Sequence, residues 1–187
     1  MTEVSLYHEI HKEIIELSKA GNSKAQVQLY QLYAKAMYNI CCRMMNDREE
    51  AEDMLQEAFT EAFMKLDSFR FESSFGAWVK RITVNKCINA LKKRKADLVP
   101  VENFPDEVGD DFPEEVPGLS VEKIHQAMEK LPEGYRIIFS LYLLEGYDHT
   151  EISQIMGISE ATSKSQYSRA RQRMKEIITN QQHARQY

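Results

Sequence analysis

Hydrophobic residues recur every three or four positions along most of this chain, and the long alternations of β-strands are absent. That period is typical of α-helices with one buried face. Breaks at Gly-Asn, at Asn-Asp and at clustered prolines separate successive helices. The first half predicts helices at 1–20, 23–45, 48–66 and 75–95. The second half predicts helices at 121–131 and 132–145, followed by a helix pair, so we expect an all-α protein.

The helix pair extends from Gly146 to Glu176 and is the most informative stretch of the chain. Asp148 and Glu151 have the spacing of a capping box, Gly157 ends the first helix, and Ser159 caps the second. The second helix has one stripe of small or apolar residues: Ser163, Tyr167, Ala170 and Met174. Its other face is basic and rich in hydroxyls: Lys164, Ser165, Ser168, Arg169 and Arg171. This arrangement fits a major groove, and an ordinary helical hairpin with a solvated basic face is the alternative.

Charge is distributed very unevenly, although the net charge of the 187 residues is only −5. Residues 73–95 hold seven basic side chains and no acidic one, and residues 96–118 hold eight acidic side chains and no basic one. Local fields, and not the total, attract a polyanion. The acidic segment also contains four prolines, so it predicts a flexible linker between two small helical domains, at 1–95 and 119–187.

Aromatic rings lie beside the basic helix of the first half. The loop 67–74 carries two phenylalanines, and the helix that follows begins with Phe75 and Trp78. Rings on which bases stack and cations that hold phosphates suit single-stranded nucleic acid. For Trp78 the helical spacing favours a core position, together with Val79, Ile82, Ile88 and Leu91.

The helix at 48–66 has one apolar and one acidic face. Most of its carboxylates are expected on a solvated surface. Asp53, Gln56 and Glu57 cluster at the edge of the apolar stripe, a position that suits docking of a basic protein partner.

Several kinds of site are not expected. Cys41, Cys42 and Cys87 form neither a disulfide framework nor a metal motif, and we expect small buried side chains in a reducing compartment. The histidines lack ligand spacing, and no phosphate-cradling loop or catalytic set is found, so we predict no metal, no cofactor and no enzyme activity. Without a signal peptide or a membrane span, the protein is expected in the cytoplasm.

With both halves analysed, residues 10–178 resemble the bacterial sigma-70 family of RNA polymerase sigma factors, and within it the extracytoplasmic-function (ECF) group. The first half carries AEDMLQEAF, then F-x-x-W-V-x-x-I-x-x-N and a basic run; the second carries LPEGYRIIFSLYLLEGYDHTEISQIMGIS and TSKSQYSRAR. Asn89, Ser163 and Tyr167 depart from the usual Asp, Val and Leu. The last two substitutions are expected to loosen the recognition helix or to tune its docking angle.

The resemblance implies a transcription initiation factor that binds core RNA polymerase, directs it to promoter DNA and assists strand opening, with an anti-sigma factor as a further partner. Asp53, Gln56 and Glu57 match positions that dock on the clamp of the largest subunit, and the second domain would meet the flap of the second largest. For the −35 element, the matching residues are Lys164, Ser165, Ser168 and Arg169 at base edges, with Thr162, Gln166 and Arg171 nearer phosphate.

For the −10 element, the resemblance implies a pocket that traps a flipped base, built from the loop and the start of the next helix. The loop residues are Phe69, Arg70, Phe71, Ser73 and Ser74. The helix residues are Arg81, Asn85, Lys86, Asn89, Lys92, Lys93 and Arg94. One of the two loop phenylalanines is expected to plug the core instead. The acidic linker either threads polymerase channels as a mimic of nucleic acid or is a solvated spacer.

Two other functions are weighed against this one. A dimeric helix-turn-helix regulator would use the first half as a sensor or dimerisation bundle, but such a bundle has no need of seven cations without a carboxylate. A protein-binding adaptor would leave the basic face at 162–175 without a role.

Overall fold

The computed structural model describes residues 3–96 and 121–183. Within these two ranges all regular secondary structure is helical, and no strand occurs, which confirms the all-α class. The chain divides into two compact units between Leu91 and Lys92. The acidic segment predicted as a linker lies, from residue 97 to 118, outside the described residues.

The first unit contains α1 (Glu3–Lys19), α2 (Ser23–Met45), α3 (Arg48–Met64) and most of α4 (Phe75–Ala96), close to the predicted bounds. Caps fix these bounds because each satisfies backbone groups that a helix end leaves open. The Asn22 side chain accepts a hydrogen bond from the Ala25 N–H, 3.1 Å away, and Asp47 accepts one from the Glu50 N–H at 2.9 Å. The chain turns between α2 and α3 at Asn46, whose φ of 57° ends α2.

The buried stripe of α4 differs from the one predicted. Val79, Ile88 and Leu91 are buried as expected, but Trp78 and Ile82 are only half-buried. In their place the helix buries three others: Thr83, Val84 and Cys87. A polar residue is tolerated in this core because the Thr83 hydroxyl donates to the carbonyl of Val79, 2.9 Å away.

The cysteines behave mainly as small buried side chains. Cys41 of α2 and Cys87 of α4 are buried as free thiols with their Sγ atoms 3.8 Å apart, whereas Cys42 is half-buried. The contact with Cys41 and the burial both raise the pKa of the Cys87 thiol. These two thiols therefore join α2 to α4 as packing groups, in agreement with the interpretation of the sequence.

The second unit contains α5 (Val121–Glu129), α6 (Glu133–Phe139), α7 (His149–Met156) and α8 (Glu160–His183). The predicted helix 132–145 does not continue as an α-helix. It widens at Ser140–Leu144 into a π-helical turn, in which the Glu145 N–H donates to the Ser140 carbonyl at 3.0 Å. Tyr142, Leu143 and Leu144 lie within this turn and are exposed, so its apolar residues are not all used in the core.

The core of the second unit is formed around α8. It joins residues of α5, the end of α6 and the inner face of α8: Ala127, Met128, Leu131, Phe139, Ala170, Met174 and Ile178. Among the described residues, no helix combines the length and the apolar character needed to cross a membrane.

Candidate nucleic-acid and polymerase interfaces

The helix-turn-helix forms as the sequence predicts. Asp148 accepts a hydrogen bond from the Glu151 N–H at 2.7 Å, and the Glu151 carboxylate accepts one from the Asp148 N–H at 2.9 Å. Gly157 has a φ of 72°, the left-handed conformation that favours glycine, and it ends α7. The Ser159 hydroxyl then accepts from the Thr162 N–H at 3.0 Å and caps α8. These local bonds set the angle at which α8 leaves the turn.

The inner face of α8 is packed more tightly than its softer residues suggested. Ser163 is fully buried, and its hydroxyl is hydrogen-bonded to Nδ1 of His149 at 2.9 Å. The ring centroid of Tyr167 lies 4.4 Å from that of Tyr142 and 6.1 Å from that of Phe139. Both side chains thus tie α8 to its neighbours, and the expected effect on the recognition helix or its docking angle stays a prediction.

The outer face of α8 carries the predicted −35 residues, of which Lys164 is exposed and the others are half-buried. The Lys164 ammonium lies 2.6 Å from the Glu160 carboxylate, an ion pair that raises the pKa of Lys164 and lowers that of Glu160. The Arg171 guanidinium lies 5.9 Å from the centre of the Tyr167 ring. None of the seven predicted residues is buried: Thr162, Lys164, Ser165, Gln166, Ser168, Arg169 and Arg171.

Three of the predicted −10 residues in the loop are exposed, and one aromatic ring supports them. Phe69 is only 4 % exposed, and its ring packs against Trp78 and Phe75 with centroids 5.2 and 5.7 Å away. The structure thus gives Phe69 a core position, one of the two roles considered for it. Phe71 is half-buried with a φ of 61°. Arg70, Ser73 and Ser74 are exposed, as is Glu72 between them.

Ser74 has a local role as well. Its hydroxyl oxygen accepts a hydrogen bond from the Ala77 N–H, 3.2 Å away, and so caps the first turn of α4. Removal of this hydroxyl would affect the start of α4 in addition to any contact with a base.

Most of the remaining −10 residues lie on one face of α4. Their spacing of three and four places them on one side of the helix, and all are exposed: Arg81, Asn85, Asn89, Lys92 and Lys93. Arg94 is half-buried. Lys86 is set apart, because its ammonium lies 2.9 Å from a carboxylate oxygen of Glu61 and 3.6 Å from one of Glu57. These contacts raise the pKa of Lys86.

The predicted polymerase-docking residues of α3 are all exposed: Asp53, Gln56 and Glu57. Met64 lies two turns beyond Glu57 on the same face and is 81 % exposed. A large apolar side chain beside carboxylates suits a protein interface, and sequence reasoning missed it because Met64 directly follows the buried Ala62 and the half-buried Phe63 in the chain.

Sequence reasoning predicted α1 but missed its contact with the loop. Lys19, at its C-terminal end, donates a hydrogen bond to the Phe69 carbonyl at 2.8 Å and lies 4.7 Å from the centre of the Phe71 ring. Nothing in the sequence signals this contact, because the partners are fifty residues apart.

Comparison with known proteins gives matches over both units. Residues 29–96 match the family model for sigma-70 region 2, and residues 121–174 match the model for sigma-70 region 4. The ECF RNA polymerase sigma factor SigW of Bacillus subtilis is 30% identical over 89% of this chain and 96% of its own length. The ECF RNA polymerase sigma-E factor of Escherichia coli is 32% identical over 85% of this chain and 89% of its own length.

A solved structure is similar in fold. It is that of the sigma factor RpoE in complex with the anti-sigma factor NepR from Bartonella quintana. Its TM-score is 0.54 at 26% identity, with 81% of this chain and 95% of that chain covered.

Proposed function

Since the chain belongs to the ECF group of sigma-70 RNA polymerase sigma factors, which direct polymerase to promoters without an enzyme activity of their own, we propose that its surfaces divide promoter recognition between them. Residues 1–95 bind core polymerase and the −10 element, and residues 119–187 bind the −35 element. Residues 96–118 connect the two. A dimeric regulator with an N-terminal sensor bundle is not favoured, because both sigma regions are matched in order.

For the −35 element, the proposal rests on the outer face of α8. Lys164, Ser165, Ser168 and Arg169 meet base edges in the major groove, and Thr162, Gln166 and Arg171 contact phosphate. The position of these residues supports this assignment, because none is buried and all lie in the N-terminal half of α8, the part of a recognition helix that enters a groove.

For the −10 element, the observation that carries the proposal is a loop with exposed polar side chains that packs on a buried phenylalanine ring. Arg70, Glu72 and Ser73 are the exposed polar residues of the loop, while Phe69 anchors it in the core. A base flipped out of the duplex needs polar partners for its edge and a surface for its face, and the half-buried Phe71 offers the latter. Arg81, Asn85 and Asn89 then guide the opened strand along α4.

For the polymerase, we propose that Asp53, Gln56, Glu57 and Met64 of α3 dock on the clamp, and that the exposed Leu143 and Leu144 take part in the contact with the flap. An anti-sigma factor is a further proposed partner, supported by the similarity to a sigma factor solved with one. Polymerase and chromosome share the bacterial cytoplasm, so we place the protein there.

The loop is tested with holoenzyme on two templates, one fully paired and one with a preformed bubble over the −10 element. Glu72→Gln with Ser73→Ala should reduce permanganate reactivity on the paired template far more than on the bubble, because a pocket for a flipped base acts in opening. Ser68→Ala is the matched control, since its exposed hydroxyl lies in the turn Leu66–Ser68 at the start of the loop and Ser68 is not among the predicted −10 residues. Ser74 is left intact because it caps α4. Equal losses on both templates would contradict the role in opening.

A further inference from the structure

The end of α1 is attached to the proposed −10 loop, although residues 1–28 lie outside the family match. The Lys19 side chain is only 18% exposed, far less than is usual for a lysine. Its ammonium donates to the Phe69 carbonyl at 2.8 Å and lies 3.8 Å from the carboxylate of Glu16. A lysine with this degree of burial is held by its contacts, and its hydrogen bond is with the loop.

The same ammonium also faces a ring of the loop. Its Nζ lies 4.7 Å from the centroid of Phe71, and the Nζ of Lys12, from the preceding part of α1, lies 5.8 Å from it. Both distances are within the range of a cation–π interaction. The ring of Phe71 packs further on that of Phe69, with centroids 4.9 Å apart. Lys19 therefore contacts the residues on either side of Arg70.

Phe71 needs such support because its backbone is strained. Its φ of 61° lies in the left-handed region, which a residue with a β-carbon and a large ring rarely occupies. Such a conformation persists only when surrounding contacts impose it. Without these contacts Phe71 would return to a negative φ. The backbone of the next two residues, Glu72 and Ser73, would then run in a different direction from the loop.

We propose that Lys19 is a positioning residue for the −10 element: its ammonium holds Phe69 and Phe71 so that Glu72 and Ser73 are presented to the unpaired base. The inference rests on the proposed role of the loop in base capture. Lys19 contacts no base in this scheme, and its effect on DNA is transmitted through the loop backbone.

Three substitutions separate this role from general effects. Lys19→Met keeps most of the apolar stem and removes the charge and the donor, whereas Lys19→Arg keeps a cation able to donate and to face a ring. Lys24→Met removes an exposed lysine at the start of α2 and is the matched control. Each holoenzyme is tested on the paired and the bubble template, with core binding and thermal unfolding measured in parallel.

For Lys19→Met we expect about a tenfold loss of open complex on the paired template and little change on the bubble, the size that a charged hydrogen bond with a cation–π contact supports. Hydrogen exchange of residues 70–73 should become faster in this variant. Lys19→Arg should restore most of the opening, and Lys24→Met should match the wild type.

Other outcomes would overturn the inference. A Lys19→Met variant that opens the paired template like the control would remove the positioning role. Equal losses on both templates, with a shallower salt dependence, would instead make Lys19 a phosphate contact.

If Lys19→Met does not fold, Lys12→Met takes its place. It must then lose open complex on the paired template and not on the bubble, although the loss should be smaller than that expected for Lys19→Met. A Lys12→Met variant without this selectivity overturns the inference. A selective defect of Glu72→Gln with Ser73→Ala alongside a normal Lys19→Met refutes only the inference about Lys19. No selectivity in either refutes the loop itself.

Discussion

The ammonium of Lys86 on α4 lies 2.9 Å from the carboxylate of Glu61 on α3. Hydrogen bonds from Lys65 and Lys86 lower the pKa of Glu61, and the bond with Glu61 raises that of Lys86. One proposed DNA contact is thus already neutralised by a side chain of the helix proposed to bind polymerase. A DNA phosphate must compete with Glu61 for this lysine.

The first prediction follows from that competition. Glu61→Gln should strengthen binding of single-stranded −10 DNA and steepen its salt dependence by about 0.7, the slope for one further phosphate contact on a single strand. The free energy of unfolding should fall by only about 0.5–1 kcal/mol, because both groups are partly exposed to solvent. Fluorescence titration with a labelled oligonucleotide at several salt concentrations measures both. Glu49→Gln, at the far end of α3, should leave the slope unchanged, and an unchanged slope for Glu61→Gln would show that Lys86 does not reach phosphate.

The second prediction concerns the α3 surface. Asp53→Ala with Glu57→Ala should weaken binding to core polymerase by tenfold or more, because removal of one partner from a buried interfacial charge pair costs about 2–5 kcal/mol. Met64→Ser should weaken it less, by loss of apolar contact. The affinity is measured by titration of labelled protein with core polymerase, and circular dichroism verifies the helices. Glu13→Ala, an exposed carboxylate of α1, is the control. Wild-type affinity in the double variant would remove α3 from the interface.

The third prediction sorts the cations of α8. Lys164→Ala or Arg169→Ala should relax sequence preference within the −35 element, since a good base contact is worth about 1–3 kcal/mol of discrimination. Arg171→Ala should weaken all sequences alike and reduce the salt slope by about one. Binding of wild-type and singly changed −35 duplexes to holoenzyme distinguishes these effects. A uniform loss in all three variants would mean that the base and phosphate contacts are assigned incorrectly.

The fourth prediction is a pH dependence centred on His149. Burial, and after it the charge of Lys164, lower the pKa of this ring, which stacks on Tyr142 with centroids 4.4 Å apart. The folded state therefore favours the neutral ring. The stability that it contributes is fully present above the unfolded pKa of about 6.5 and is lost as the pH falls through the lower folded pKa.

A titration of the His149 ring followed by NMR tests the direction of this shift. The pKa should lie below that of an exposed histidine, and Lys164→Gln should raise it by removing the nearby positive charge. The thermal stability of His149→Gln should fall less between pH 7 and pH 5 than that of the wild type. A wild-type ring that titrates above its ordinary pKa would contradict the prediction.

Local interactions explain what the sequence determined by itself. The bounds of α2, the capping box at Asp148 and the break at Gly157 depend on residues within one helical turn, and all three were predicted correctly. The division of α8 into an inner buried face and an outer unburied face follows from helical spacing, and the family follows from the order of two motif sets. Each of these features depends on neighbours that are close in the chain.

Only the tertiary structure decided the features that depend on distant partners. It exchanged Ile82 for Thr83 in the core, because burial depends on which helices pack against α4 and not on spacing alone. It also widened the helix after Phe139 into a π-turn. The contacts of Lys86 with Glu61 and of Lys19 with Phe69 join residues that are 25 and fifty positions apart. A charged side chain acquires such a partner only when folding brings the two together. The sequence therefore identified the basic helix and the loop, but not Glu61, which contacts that helix, or Lys19, which contacts the loop.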